Sequence, residues 1–337
     1  MKSPPAKFPF VCVGLGTFLL VLAGMLAWYV EPRAERTSTD VDATTVFTGT
    51  GSYFDTDRIR TVRNQDLTIT RQVRGDVAES ERSGRAVWDV TTSVDTDESL
   101  PAADPHDALQ WTKERWVTDR ATNAPVHCCG EDPVFAGEAY LKFPFRVEKR
   151  TYTWWDSTLG ATVPLRYEGK AKVRGYTGYR FVGSVAPTRT GSRQVPGRIV
   201  GQPDKGQVLA EEWYANHRVD LVADPRTGRI VYAAVGPRLT LRAPGTARDA
   251  AVLLDSRKIA FTPATQRAQV ALARDDNDLL RLLGTVLPLV AGVLGALLVA
   301  AGTVFVVRGA GGRRARDGQP GRPDPGPPST TLQKTMM

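Results

Sequence analysis

The sequence predicts a membrane protein of α+β class, with an antiparallel, β-rich extracytoplasmic domain of barrel- or sandwich-like build between two terminal transmembrane helices. Three observations predict it. Two long runs, residues 8–30 and 282–307, contain no charged side chain. The region between them is broken into short alternating or β-branched segments separated by turn residues. Lysine and arginine are in excess just outside both runs.

Residues 1–7 are a short N-terminal segment carrying Lys2 and Lys7. The first run (FPFVCVGLGTFLLVLAGMLAWYV) has 23 residues and the second (LLGTVLPLVAGVLGALLVAAGTVFVV) has 26. About 20 helical residues span a hydrocarbon core of about 30 Å, so each run is long enough. A cleavable signal has an apolar core of about 7–15 residues followed by a small-residue cleavage site. The first run is longer and exits through Trp28-Tyr29-Val30-Glu31-Pro32, which reads as an uncleaved anchor with an interfacial aromatic belt. In the second run Pro288 predicts a modest kink. Gly284, Gly292, Gly295 and Gly302 offer small residues against which the two anchors can pack.

Retention of Lys and Arg on the cytoplasmic side sets orientation. It predicts a double-pass protein of the cell membrane with both termini cytoplasmic and the main domain, residues 31–262, outside. Placement also accounts for the net charge of +8. The segment after residue 307 has an excess of four positive charges and the segment before residue 8 an excess of two. The basicity therefore belongs to topology, and no nucleic-acid partner is expected. The expected partner is the lipid bilayer. Residues 308–337 are rich in Gly, Pro and Arg and are expected to be a disordered basic tail.

Within the outer region, residues 66–73 (DLTITRQV), 85–94 (RAVWDVTTSV), 151–155 (TYTWW), 179–185 (YRFVGSV), 218–222 (RVDLV) and 229–234 (RIVYAA) read as strands. Asp224-Pro225-Arg226-Thr227-Gly228 reads as a hairpin turn, because Pro presets φ and Gly accepts positive φ. The long helical pattern of this region is residues 263–281 (PATQRAQVALARDDNDLLR), with Thr262 as N-cap. It leads into the second span as a stalk helix.

Candidate chemistry is sparse. Cys128 and Cys129 are adjacent, in His127-Cys128-Cys129-Gly130-Glu131. Outside the cytoplasm free thiols rarely persist, and three arrangements fit: a vicinal disulfide, which is the expectation, a Zn²⁺ or Cu⁺ site with His127, or free or intermolecular thiols. The spaced second pair of a zinc site is missing. Cys12 lies in the first span as a small packed residue. His106, His127 and His217 fall in no triad or H-E-x-x-H pattern, and no Walker or G-x-S-x-G motif is present. The acidic run Asp95-Thr96-Asp97-Glu98 lacks the glycine and terminal glutamate of a calcium loop and reads as a solvated loop; Asp275, Asp276 and Asp278, on the stalk helix, are likewise expected to be solvated. No catalytic constellation, metal site or cofactor is predicted. Five aromatics, Phe143, Phe145, Tyr152, Trp154 and Trp155, crowd into 13 residues (FPFRVEKRTYTWW). Such residues usually build a core; the alternative is that they line a pocket for an apolar ligand.

Residues 41–57 (VDATTVFTGTGSYFDTD), Cys128-Cys129-Gly130-Glu131, residues 143–155 and the two-anchor layout together resemble the actinobacterial porin PorA-like family, over nearly the whole chain. The resemblance implies an envelope protein. Two uncharged apolar spans nevertheless point to an inner membrane, whereas an outer-envelope barrel needs many amphipathic strands. Residues 175–182 (GYTGYRFV) and 217–241, followed by a terminal span, are also similar in order to class B scavenger receptors. That second resemblance implies a barrel-like outer domain with an apolar tunnel. The outer region here is smaller and carries no N-x-[ST] site.

The leading expectation is thus a non-enzymatic envelope protein whose outer β domain binds or transfers a lipid or other apolar ligand. The alternatives are an interaction scaffold for envelope proteins and an oligomeric porin-like channel.

Overall fold

A computed structural model describes residues 8–55, 58–100 and 108–317. Two compact units emerge, residues 31–281 and a helical unit from the two ends of the chain.

In the helical unit, α1 (Phe8–Met25) and α5 (Leu287–Asp317) are joined to short π-helical turns, Leu26–Val30 and Leu282–Val286 respectively. Two helices, Phe8–Ala34 and Pro263–Arg308, are long and apolar enough to cross a membrane, with mean hydropathies of 2.4 and 2.5. Pro288 follows the second π-turn directly. A π-turn is one of the local adjustments that accommodates the carbonyl a proline leaves without a donor. The helices run antiparallel: Gly16 sits at Gly295, Gly302 at Val13, and Phe8 meets Phe305 edge-on at 6.5 Å. A Cβ on Gly295 would lie 2.8 Å from the Gly16 carbonyl oxygen, so backbone contact depends on glycine here. Gly295→Leu is expected to destabilise the pair by about 1–3 kcal/mol, read as a lower melting temperature of the full chain in nanodiscs. An unchanged melt would show that the helices do not rely on this contact. α5 continues to Asp317, so the helix reaches into the first part of the expected disordered tail; extending an existing helix costs far less than nucleating one. The tail from residue 318, the N-terminal residues 1–7 and His106 lie outside the described residues.

Residues 31–281 begin with a short helix, α2 (Glu31–Ala34), and form one antiparallel sheet of ten strands. The strands are β1 (Asp42–Asp55), β2 (Arg60–Gly75), β3 (Ala86–Thr96), β4 (Gln110–Thr118), β5 (Tyr152–Asp156), β6 (Ala161–Val173), β7 (Tyr176–Pro196), β8 (Gln207–Ala223), β9 (Ile230–Arg242) and β10 (Asp249–Phe261). Their order is β4-β3-β2-β1-β10-β9-β8-β7-β6-β5, with β1 and β10 pairing the two ends of the chain segment. The sheet curls into a half-barrel: Glu114 on β4 and Trp155 on β5, the two edge strands, line one cavity.

The edge strands do not pair with each other. The segment between them closes the seam instead, exchanging hydrogen bonds with β4 through Asp132 and Arg115 and with β5 through Ala139, Thr153 and Trp155. Covering both edges removes the exposed backbone groups that would recruit another strand. Trp88, Trp116, Phe135, Tyr140 and Trp155 form an aromatic cluster along this seam. A second helix, α3 (Val77–Ser83), bridges β2 and β3; the Asp76 carboxylate accepts from the Glu79 amide at 3.0 Å and Gly84 ends it at φ 70°. Helix α4 (Pro263–Arg281) starts where the Thr262 hydroxyl accepts from the Thr265 amide at 3.1 Å. It packs Val270 and Ala273 against Val173, Val222 and Val231.

Candidate functional site

The half-barrel encloses a cavity of about 450 Å³, within the range of about 300–1,000 Å³ usual for small-molecule sites. Strand periodicity builds its wall. On β2, Ile69, Arg71 and Val73 share the concave face, and register sets them opposite Phe47, Thr45 and Ala43 of β1. Thr92 and Thr112 continue the row from Arg71 across β3 and β4. Apolar wall comes from Val219 and Leu221 of β8, Ala233, Val235 and Leu239 of β9, and Leu254 of β10. Ala34, Leu279 and Leu280, close in sequence to the two apolar spans, line it as well.

The five expected aromatics divide between two environments. Phe145, Trp154 and Trp155 line the cavity. Phe143 and Tyr152 are instead in the core: Phe143 is fully buried and stacks on Phe181 at 4.5 Å, with Tyr152 edge-on at 5.2 Å. The turn at residues 224–228 explains the split. Its Gly228 carbonyl accepts from the Phe143 amide at 2.8 Å, and a Cβ on Gly228 would lie 2.0 Å from the Phe143 carbonyl oxygen. Residues 146 and 147 donate to the carbonyls of Arg226 and Pro225. This docking turns Phe143 into the core and leaves Phe145 on the cavity side.

Polar groups in the cavity wall form two clusters that sequence reasoning did not nominate. In the first, the Tyr140 hydroxyl donates to buried Glu114 and accepts from Ser157 at 3.1 Å. The Tyr214 hydroxyl donates to Asp156 at 2.8 Å and accepts from Asn216 at 3.1 Å. Arg71 donates through Nε to Thr92 at 3.2 Å. Burial raises the pKa of the Asp156 carboxyl and holds the Tyr140 and Tyr214 hydroxyls protonated. The signal was present on β2: the alternation Leu67, Ile69, Arg71, Val73 sets one cation on an otherwise apolar face. The second cluster centres on Lys142, whose ammonium lies 3.3 Å from the Thr37 hydroxyl and 4.0 Å from the centre of the Phe145 ring. Burial, and then the positive charge of Arg229, lower its pKa to about 7, against an opposing pull from Asp276. Asp276 itself is ion-paired to Arg229 at 2.8 Å, which corrects the expectation of a solvated acid. Buried Trp155 leaves its Nε1 without a hydrogen-bond partner among the described residues.

Elsewhere, the sulfurs of Cys128 and Cys129 are 2.26 Å apart in a turn where Cys129 and Gly130 both have positive φ. Arg115 holds the Cys129 carbonyl at 3.0 Å. His127 meets Glu131 at 2.8 Å, and His217 meets Asp255 at 3.2 Å, where Arg238 already binds the same carboxylate. Asp95 is buried and accepts from Ser93 and Ser99, so it closes a turn and is not part of a solvated loop. Among the described residues no three His, Cys, Asp or Glu side chains converge on a point that could hold a metal ion.

A family model described as Porin PorA matches residues 8–304, which takes in the first apolar span, the whole half-barrel and most of the second span. The chain belongs to the porin PorA family. No curated protein matches it, and the similarity to class B scavenger receptors gains no support. With two apolar helices and this family, the chain is an envelope membrane protein.

Proposed function

We propose that this PorA-family chain is a non-enzymatic, double-pass protein of the cell membrane, with both termini cytoplasmic, whose outer half-barrel holds a lipid or other apolar ligand. The cavity carries the reading: its size is that of a small-molecule site, and aliphatic and aromatic side chains make most of its wall, with polar and charged side chains making a substantial minority. The expectation is tested with N-phenyl-1-naphthylamine, whose fluorescence rises in apolar surroundings. The full chain in nanodiscs should raise it above empty nanodiscs. Ala233→Phe, which fills space at the β9 wall, should abolish the rise while the chain still unfolds cooperatively. Equal signals from the chain and from empty discs would overturn the reading.

The family description favours a second reading, an oligomeric porin-like channel. In planar bilayers a channel gives stepwise ion conductance, and ligand binding alone gives none. The Lys and Arg residues beyond the two spans support the proposed orientation.

We also read Cys128 and Cys129 as bonded to each other, because they are adjacent in sequence and free thiols rarely persist outside the cytoplasm. The non-reduced peptide containing both should be lighter than its reduced form by two hydrogens and should resist alkylation. Free alkylation of both thiols before reduction would refute it.

A further inference from the structure

The Lys142 ammonium is an uncompensated cation at the wall of an apolar cavity. No carboxylate lies within ion-pairing distance of it among the described residues; its contacts are the Thr37 hydroxyl and the Phe145 ring. The carboxylate whose charge acts on it, Asp276, is engaged by Arg229 through both Nε and a terminal nitrogen, at 3.0 and 2.8 Å. Arg36 lines the same cavity and adds a further positive charge. Lys142, Arg229 and Arg36 against Asp276 leave this part of the wall net positive. The other polar cluster differs: there Arg71 faces the carboxyl groups of Glu114 and Asp156, so no cationic excess remains.

An ammonium drawn partly out of water against apolar wall, without an anion, is costly. Other half-buried cations nearby are neutralised within the chain: Arg226 is paired with Glu31, and Arg229 with Asp276. Lys142 is held in place without that compensation, beside apolar wall from Phe145, Leu141, Leu279 and Leu280. A long apolar chain ending in one acidic group matches both halves of this surface. The chain would replace water along the aliphatic wall and the acid would supply the missing counter-ion.

We propose that the ligand is an anionic amphiphile, a long acyl or alkyl chain with a carboxylate or phosphate head, and that Lys142 pairs with the head. This rests on the reading of the cavity as a ligand site. The lowered pKa of Lys142 agrees with it: the free protein holds this amine near its charge transition, and an arriving anion would draw the proton onto it.

The test uses the full chain in phosphatidylcholine nanodiscs, with empty discs as background, and three probes of equal chain length: hexadecanoate, hexadecyl phosphate and hexadecanol. Wild-type protein should bind at least one of the anions about tenfold or more tightly than the alcohol. The two anions compared with each other identify the head. Lys142→Met should remove the preference while still binding the alcohol, and Lys142→Arg should retain it. Binding of all three with equal affinity overturns the anionic head but leaves the ligand site standing. Binding of none overturns the ligand site itself. A preference that survives Lys142→Met overturns the assignment to this residue. Acylation of Lys142 in the wild type, located by peptide mass, gives an independent readout if Lys142→Met does not fold. The anion should slow it more than the alcohol does, and equal protection counts against the pairing.

Discussion

Phe143→Ala is expected to destabilise the half-barrel by about 3–5 kcal/mol. Phe143 is fully buried, and its ring touches Phe181, Tyr152 and Trp154 at centroid distances of 4.5, 5.2 and 5.5 Å. Truncation would remove the stacked contact and leave a void that the ten-stranded sheet cannot collapse to fill. In a domain of this size about 1 kcal/mol moves the melting temperature by about 2–4 °C, so the loss is readily measured. Phe145→Ala provides the contrast. It removes a side chain from the cavity wall, where space already exists, and should cost about 1 kcal/mol or less. Similar losses for the two variants would contradict the division of the aromatic segment between core and cavity.

Lys142→Met should stabilise the protein, and the gain should depend on pH. Burial disfavours the charged amine, and its pKa falls from 10.5 to about 7. Below about pH 7 the folded and unfolded chains both carry the proton, and the full penalty is present. Between pH 7 and pH 10.5 the unfolded chain binds a proton that the folded chain does not, so wild-type stability rises with pH through this window. Above it both forms are neutral and the penalty is gone. The advantage of Lys142→Met should therefore be largest near pH 6, shrink between pH 7 and pH 10, and then vanish. One pKa unit corresponds to about 1.4 kcal/mol; with Lys142 partly exposed as a residue, a gain of roughly 1–3 kcal/mol is expected near pH 6. Melting curves of both proteins across this range check it, because other groups that titrate in the window, in either fold state, cancel in the difference. A constant or inverted difference would show that the amine is not held in a desolvated site.

Much of the architecture was legible because it follows from local rules. Residues 8–30 and 282–307 announce themselves by length without charge, and length is what a bilayer demands. The 224–228 turn is written in Pro and Gly, and α4 in a threonine cap and a helical period. Strands β2, β3, β5, β7, β8 and β9 showed as alternating, β-branched or aromatic segments. β6 and β10 did not stand out, because their charged and small residues blur the alternation. Helix α3 is too short for periodicity to register.

The site was legible only in part. The aromatic segment 143–155 drew notice by composition, yet nothing local distinguishes Phe143 from Phe145. Their separation comes from the contact between residues 143–147 and a turn some 80 positions later. Lys142 looked like any loop lysine; burial beside Arg229 and Asp276, from β9's approach and α4, makes it unusual. The two apolar spans, the β character between them and the lack of a recognised catalytic motif are readable along the chain, since composition and short-range pattern govern these. The curling of ten strands around a cavity, the sealing of the seam by residues 119–151 and the choice of inward-facing residues emerge in the folded chain. Those outcomes depend on strand register and on pairings between distant residues, and a linear pattern does not carry that information.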